Sequence, residues 1–247
     1  MSHLGNEIKI YDMKFLINLL NKLISTKFVR AIIGVALAKD KRLCAELMWM
    51  AYRDQKVRKA WLHSTKPYTL KHLKQFIRVD ISNTARLKQI IAKYGWPGQT
   101  LIGSMGCHAA WLLIQHADHD RAFQKQCLIL LEKAVENNEA PASLLAYLTD
   151  RIRAQNGQPQ IFGTQLDGKL NPLPIEDEAD VDERRAKVGL PPLSQYISDV
   201  KKVMMNEPSL PMSIAELKQL LSQLPPSPEY DTYVAQMKRF LNTMDVL

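Results

Sequence analysis

Cysteines are few in this chain of 247 residues, and none has a partner at a spacing typical of a metal site or a disulfide framework. The three cysteines are Cys44, Cys107 and Cys127. An odd number without paired spacing argues against a disulfide scaffold and against a zinc ribbon. We therefore expect buried thiols and a reducing compartment.

Long apolar runs are also missing. The stretch 31–38 is apolar for only eight residues, whereas a helix needs about 20 to span a bilayer. Glu7 and Asp12 precede the apolar segment that begins at Phe15, a charge pattern unlike that of a secretory signal. These features predict a cytoplasmic protein.

Several well-known functional motifs are absent as well. The chain contains no glycine-rich phosphate loop, no nucleophile elbow and no HExxH zinc motif. It also lacks zinc-finger spacing, a helix-turn-helix signature and a basic motif interleaved with aromatic residues, so it carries no specific nucleic-acid motif. The sequence therefore points to no particular cofactor.

Positive charge is concentrated in the first third of the chain. The net charge is +8, yet residues 1–80 alone hold eleven lysines and five arginines against six acidic residues. Basic amphipathic helices are predicted in residues 1–38, and two interpretations of them stay open. They form a docking surface for a protein or an anionic membrane surface, or they are ordinary solvated helix faces.

Apolar residues recur every three to four positions along most of the chain, which is the period of an α-helix. The pattern predicts helices over 41–61, 70–77, 84–94, 105–117, 121–137, 141–154 and 193–205. Residues 158–175 break this pattern and predict one short β-hairpin or an ordered loop. The fold class is therefore all-α, a multi-helix bundle with basic N-terminal helices over 1–38, a helical core domain over 41–206 and a C-terminal helical hairpin over 207–247.

Helix ends are signalled at three places. Gly95 is expected to close the helix over 84–94, and either Asp118 or Asp120 should cap the start of the helix over 121–137. Residues 180–183 have the form of a capping box at the start of a short helix.

Polar functional side chains are dense around the end of the helix predicted over 105–117. His108 and Gln115 lie seven residues apart and share a helix face with Trp111, and His116 follows directly. Either histidine could act in general acid–base catalysis. The alternative is that these side chains hydrogen-bond to backbone at a helix end. His119 and Asp120 are weaker candidates for a metal site, because they fall where a helix should start and the aspartate is more simply explained as a helix cap.

Three arginines suggest a site for an anion. Arg58 can pair with Asp54 one helical turn before it, Arg86 lies near the predicted start of a helix, and Arg151 follows Asp150 directly. Arginine forks suit carboxylates and phosphates. Such arginines also tie helices together inside bundles, so this structural role is an equal alternative.

Ten short motifs in this order resemble an uncharacterised family of bacterial domains. They are Arg53–Arg58, Asn83–Leu87, Gly95–Gly98, Ala110–Leu113, Gln115–Asp120, Tyr147–Arg151, Phe162–Gln165, Pro174–Asp177, Val181–Arg185 and Gly189–Leu193, with Phe162 standing where tyrosine is usual. The resemblance covers about residues 41–200 and implies a bacterial origin. It implies no activity, cofactor or partner.

Two functional hypotheses follow. The first is an enzyme of the hydrolase or transferase type that acts on an anionic small molecule. Its candidate catalytic residues are His116, His108 and Asp150, and its candidate substrate-binding residues are Arg58, Arg86, Gln115, Arg151, Gln165 and Trp111. The second is a non-catalytic binding or scaffold module that docks through its basic N-terminal helices.

Overall fold

The computed structural model describes residues 34–62, 69–167, 169–205, 214–228, 230–235 and 238. Most of the predicted segment 1–38 and part of the predicted hairpin 207–247 lie outside these ranges. The helices are α1 (Lys41–Leu62), α2 (Leu70–Tyr94), α3 (Gln99–Gln115), α4 (Arg121–Glu136), α5 (Ala142–Gln155), α6 (Val181–Lys187), α7 (Leu193–Met205) and α8 (Ile214–Ser222). The predicted all-α fold class is confirmed.

One apolar core joins α1 to α5. Leu47 of α1, Leu113 and Ile114 of α3, Leu131 of α4 and Leu148 of α5 are each at most 2% exposed. Burying a leucine or isoleucine side chain contributes about 1.5–3 kcal/mol. The core therefore fixes the relative positions of the helix ends that carry polar side chains.

Helix α2 corrects one prediction. Two helices were expected over 70–77 and 84–94, but α2 is continuous from Leu70 to Tyr94. Asn83 and Thr84, which suggested a new helix start, are buried inside it. Both residues have only modestly lower helix propensity than alanine, and the buried stripe continues through them to Leu87. Tertiary packing therefore outweighs the local start signal.

Helix α3 begins earlier than expected, at Gln99 instead of 105. Gly103 interrupts it with a φ of 70° and a ψ of 170°, a conformation that favours glycine. Two helical segments meet at Gly103. The start predicted at residue 105 corresponds to the segment that follows this glycine.

The other helix ends agree with the sequence in part. The backbone N–H of Gly95 donates to Ile91 O at the end of α2, as predicted. Asp120 caps α4 by accepting from the backbone N–H of Phe123 at 3.1 Å. The short helix predicted to start at 180–183 is present as α6, but its capping box is wrong, because Asp180 makes no side-chain cap hydrogen bond.

Residues 158–175 form an ordered loop. Within this loop, apart from residue 168, isolated bridges pair Gln160 with Ile175 and Leu166 with Pro172, without a strand. Gln160 holds the loop together, since its Nε2 donates to Gln165 O and to Leu173 O at 2.9 Å each.

The C-terminal segment packs on the first half of α2. Leu220 and Leu221 of α8, with Tyr230 and Tyr233 from the helical residues around 230–235, bury Leu73 and Ile77 in a second apolar cluster. The boundaries of the predicted parts stay predictions. In the ranges that the structure describes, no helix combines the length and apolarity needed to cross a membrane.

Candidate acid–base site

A buried histidine–carboxylate pair joins α1 to the end of α3. His116 is the residue directly after α3, and its Nδ1 lies 2.7 Å from Oδ2 of Asp54 in the middle of α1. Asp54 is 1% exposed, whereas the ring of His116 is 18% exposed. The ring therefore lies between the core and solvent, with its Nδ1 side facing inward.

Arg58 links this pair to α2. It follows Asp54 by one helical turn, and its Nε lies 3.1 Å from each carboxylate oxygen of Asp54. Its Nη2 lies 2.7 Å from Oδ1 of Asp80 on α2. The guanidinium also stacks on Phe76, 4.6 Å from the ring centroid. One arginine thus bridges two buried carboxylates on neighbouring helices.

The C-terminal segment completes the environment of Asp80. The hydroxyl of Tyr233 donates to Oδ2 of Asp80 at 2.9 Å, and Tyr233 is 2% exposed. The ring of Tyr233 packs against His119, with centroids 5.2 Å apart. Both oxygens of Asp80 are therefore paired inside the protein.

A second cluster centres on Asp118, in the turn between α3 and α4. Its carboxylate accepts from Arg151 Nε at 2.8 Å and from Gln155 Nε2 at 2.6 Å, both on α5. Gln124 of α4 donates to it at 3.1 Å. Asp118 is thus the acceptor that ties α4 and α5 to the turn, while Asp120 is the helix cap.

The electrostatics of the pair follow from its burial and its neighbours. Burial lowers the pKa of His116, the hydrogen bond to Asp54 raises it, and the charges of Arg58 and Arg151 lower it, so the net shift is downward. Burial alone would raise the pKa of Asp54, but the His116 hydrogen bond and the Arg58 charge hold it below its usual value. At neutral pH the pair is therefore a neutral imidazole beside a carboxylate.

This charge state decides the tautomer of His116. Because ionised Asp54 can only accept a hydrogen bond, Nδ1 carries the proton and Nε2 carries the lone pair. Within the described part of the chain, Nε2 has no hydrogen-bond partner. It lies on the side of the ring away from Asp54, and the His116 side chain is 18% exposed. A neutral imidazole oriented by a carboxylate in this way has the chemistry that general base catalysis requires.

The pKa of Asp80 shifts in the opposite direction to that of Asp54. Burial raises its pKa to about 7, and the positive charge of Arg58 only partly opposes this rise. Asp80 is thus a buried acid that titrates near neutral pH.

The comparisons with known proteins give a family. A family model described as "Family of unknown function (DUF6624)" matches residues 41–205. The chain belongs to this family. No curated protein and no solved structure matches the chain. The DUF6624 match runs from the first residue of α1 to the last residue of α7, so it includes Asp54, Asp80 and His116 and excludes Tyr233.

The remaining predicted residues of the DUF6624 domain lie apart from the pair. His108 is exposed and packs against Trp111, with ring centroids 5.0 Å apart, while Trp111 Nε1 donates to Leu144 O at 2.9 Å. Arg86 pairs with Glu46 on the surface, with its Nε 2.6 Å from Oε1. The structure does not bring these side chains to His116.

Asp150 serves the ordered loop. It is fully buried, and its carboxylate accepts from the backbone N–H groups of Ile161 at 2.8 Å, Phe162 at 3.1 Å and Thr164 at 2.9 Å. Gln165 instead meets Arg151, at 3.4 Å between Oε1 and Nη1. Three backbone donors occupy the oxygens of Asp150, so its position suits holding the loop.

Gln115 and the weak metal candidates, His119 and Asp120, differ in their polar contacts. Gln115 is buried, and its Nε2 has no partner among the described residues. Asp120 pairs with Lys88 in addition to capping α4. No group of three or more histidine, cysteine or acidic side chains in the described ranges is placed to hold a metal ion.

Sequence reasoning missed several members of the two clusters. Asp80, Gln124 and Gln155 occupy positions of their helices that face the core, and each is less than 9% exposed. A polar residue in an otherwise apolar helical stripe was the available signal. Tyr233 carried no signal, because only the fold brings it to α2.

Proposed function

We propose that this protein is an enzyme of the hydrolase or transferase type that acts on an anionic small molecule with His116 as its general base. The observation that carries the proposal is the 2.7 Å contact between His116 Nδ1 and Asp54, which leaves Nε2 free of described partners. A neutral histidine oriented by a carboxylate can accept a proton at Nε2.

The reaction would proceed by one proton cycle on His116. Nε2 takes a proton from water or from a substrate hydroxyl as that oxygen attacks the electrophilic centre. The imidazolium that forms is stabilised by Asp54, as in other histidine–carboxylate pairs. His116 then returns the proton to the leaving group as its bond to the electrophilic centre breaks.

Two arginines supply positive charge to this position. Arg58 and Arg151 both lower the pKa of His116, so their fields reach its ring. A negatively charged substrate beside Nε2 would be attracted by these arginines only to the extent that Asp54, Asp80 and Asp118 leave their charge unbalanced. Both guanidiniums are already paired with carboxylates. They would therefore act through their charge and would not form bidentate hydrogen bonds with the substrate. The proposal assigns no catalytic role to His108 or Asp150.

The second candidate is a non-catalytic binding or scaffold module. The observation that favours it is that Asp54, Arg58 and Asp80 are paired with one another across α1 and α2, as expected of a network that fixes two helices. The docking helices predicted in residues 1–38 belong to this alternative.

The experiment is a screen of the purified protein against p-nitrophenyl phosphate, bis-p-nitrophenyl phosphate and p-nitrophenyl esters. We expect His116→Asn to reduce any turnover by about 10²–10⁴, the usual contribution of general acid–base catalysis. His108→Asn decides between the two predicted histidines, since loss of activity there would move the base to His108. No turnover in this screen, together with no thermal shift by phosphate or nucleotides, would favour the scaffold alternative.

A further inference from the structure

A cationic groove lies between α1 and α2, and none of the residues of the acid–base site lines it. Its volume is about 970 Å³. Its α1 wall is formed by Trp49, Tyr52, Arg53 and Lys56, which follow one another at intervals of three, one and three residues. This spacing places all four on one face of a helix.

The charge of the groove has one sign. Arg53 and Lys56 face Lys71, Lys74 and Arg78 on α2, and no acidic residue is among the described residues that line it. None of these five cations forms an ion pair with a described carboxylate. Arginine and lysine elsewhere in the molecule do pair, as Arg86 does with Glu46. Within the part of the chain that the structure describes, the positive charge of the groove is therefore not compensated.

Two large aromatic rings stand exposed at the same groove. Trp49 is 58% exposed and Tyr52 is 55% exposed, and their ring centroids are 5.5 Å apart at an interplanar angle of 23°. Exposed single apolar residues are ordinary, but a stacked pair beside five cations that have no described carboxylate partner combines two recognition elements. The two aromatic rings can stack on another flat ring, and the lysine and arginine side chains attract negatively charged groups.

We propose that this groove binds single-stranded nucleic acid. The sequence carries no specific nucleic-acid motif for it, because residues of two separate helices form the groove. The phosphates of the strand would lie on the cations of both helices, and a base would stack on the Trp49–Tyr52 pair. Proteins that bind single strands combine these two elements, a basic track and aromatic platforms. A duplex keeps its bases stacked inside and leaves the ring pair unused. A flat bilayer meets a protruding face, whereas these cations line a concave groove.

The test uses the full-length protein and fluorescence anisotropy with labelled oligothymidylate and oligouridylate. We expect binding at low salt that weakens as salt rises. Each phosphate contact to a single strand contributes about −0.7 to the log–log salt slope, so five contacts set a limit of about −3.5. Trp49→Ala should weaken binding about 5-fold to 100-fold, and Trp49→Phe should restore much of it.

Charge-reversal variants test the role of the cations that line the groove. The double variant K56E/R78E should weaken binding at least about 10-fold and reduce the salt slope. The matched control is K125E/K187E, which changes the net charge equally at two exposed lysines outside the groove. Equal losses in both double variants would show a non-specific charge effect and overturn the proposal.

Three further outcomes would also overturn it. The first is no binding of either oligonucleotide at low salt. The second is equal binding of an abasic strand of the same length, together with no effect of Trp49→Ala. The groove would then bind polyanions through charge alone. The third is capture by phosphatidylserine vesicles with the same dependence on the K56E/R78E change, which assigns the groove to a lipid surface.

Discussion

Asp80 should make the stability of this protein fall as the pH rises from about 4 to 7. Burial raises the pKa of Asp80 to about 7, against an ordinary value of 3.8, with Arg58 opposing the rise. Between these two pH values the folded protein binds the proton and the unfolded chain does not. Stability contributed by the protonated Asp80 is therefore present at acid pH and is lost as the pH approaches the folded pKa.

The magnitude follows from the same shift. Each pKa unit corresponds to about 1.4 kcal/mol, so we expect wild type to lose about 3–4 kcal/mol relative to Asp80→Asn between pH 4 and pH 7. Asparagine at this position keeps an oxygen acceptor for Arg58 and removes the titration. Taking the difference between the two proteins cancels the titration of groups that do not interact with Asp80.

The assay is urea unfolding at a series of pH values, with the free energy of unfolding obtained by linear extrapolation. Glu136→Gln, which removes an exposed carboxylate from α4, should keep the pH profile of the wild type. A gain in wild-type stability relative to Asp80→Asn as the pH rises would refute the raised pKa of Asp80. Asp80 would then be an ionised partner of Arg58, and its 2.7 Å contact would outweigh its burial.

Three further predictions concern single contacts. In Asp54→Asn, the pKa of His116 should fall further, because the hydrogen bond that raises it is weakened; an NMR titration of the ring protons measures this, and an unchanged pKa would contradict it. Tyr233→Phe should lower the free energy of unfolding by about 0.5–1.5 kcal/mol through loss of the hydrogen bond to Asp80, and urea unfolding that shows no loss would remove Tyr233 from the network. Asp150→Asn should cost about 1.5–3 kcal/mol, since a neutral amide replaces a charged acceptor of backbone N–H groups; proteolysis within residues 158–175 should accelerate, and activity lost at unchanged stability would instead make Asp150 catalytic.

The helical fold was predictable because it follows from local sequence patterns, namely the period of apolar residues and the capping residues. The period of apolar residues gave α1, α4 and α7 within one or two residues of their observed ends. Gly95 and Asp120 fulfilled their capping roles for the same reason, since a cap depends on residues within one turn. The break predicted between 77 and 84 was wrong because the buried face of α2 continues through Asn83 and Thr84, and packing against the core keeps the helix continuous.

The candidate site was predictable only in pieces. Arg58 and Asp54 lie four residues apart, so helical spacing alone suggested their contact. His116 was singled out by its density of polar neighbours, but its carboxylate partner lies 62 residues earlier in the chain. No local pattern encodes that pairing, because it depends on how α1 and α3 cross.

The sequence by itself therefore determined the helices, several of their ends and the family. The tertiary structure decided which polar residues meet: Asp54 with His116, Asp80 with Tyr233, and the two halves of the cationic groove. Periodicity and capping depend on a few neighbouring residues, whereas these contacts depend on the packing of whole helices. A hydrogen bond made across 153 residues, as between Asp80 and Tyr233, exists only once the core has brought its two ends together.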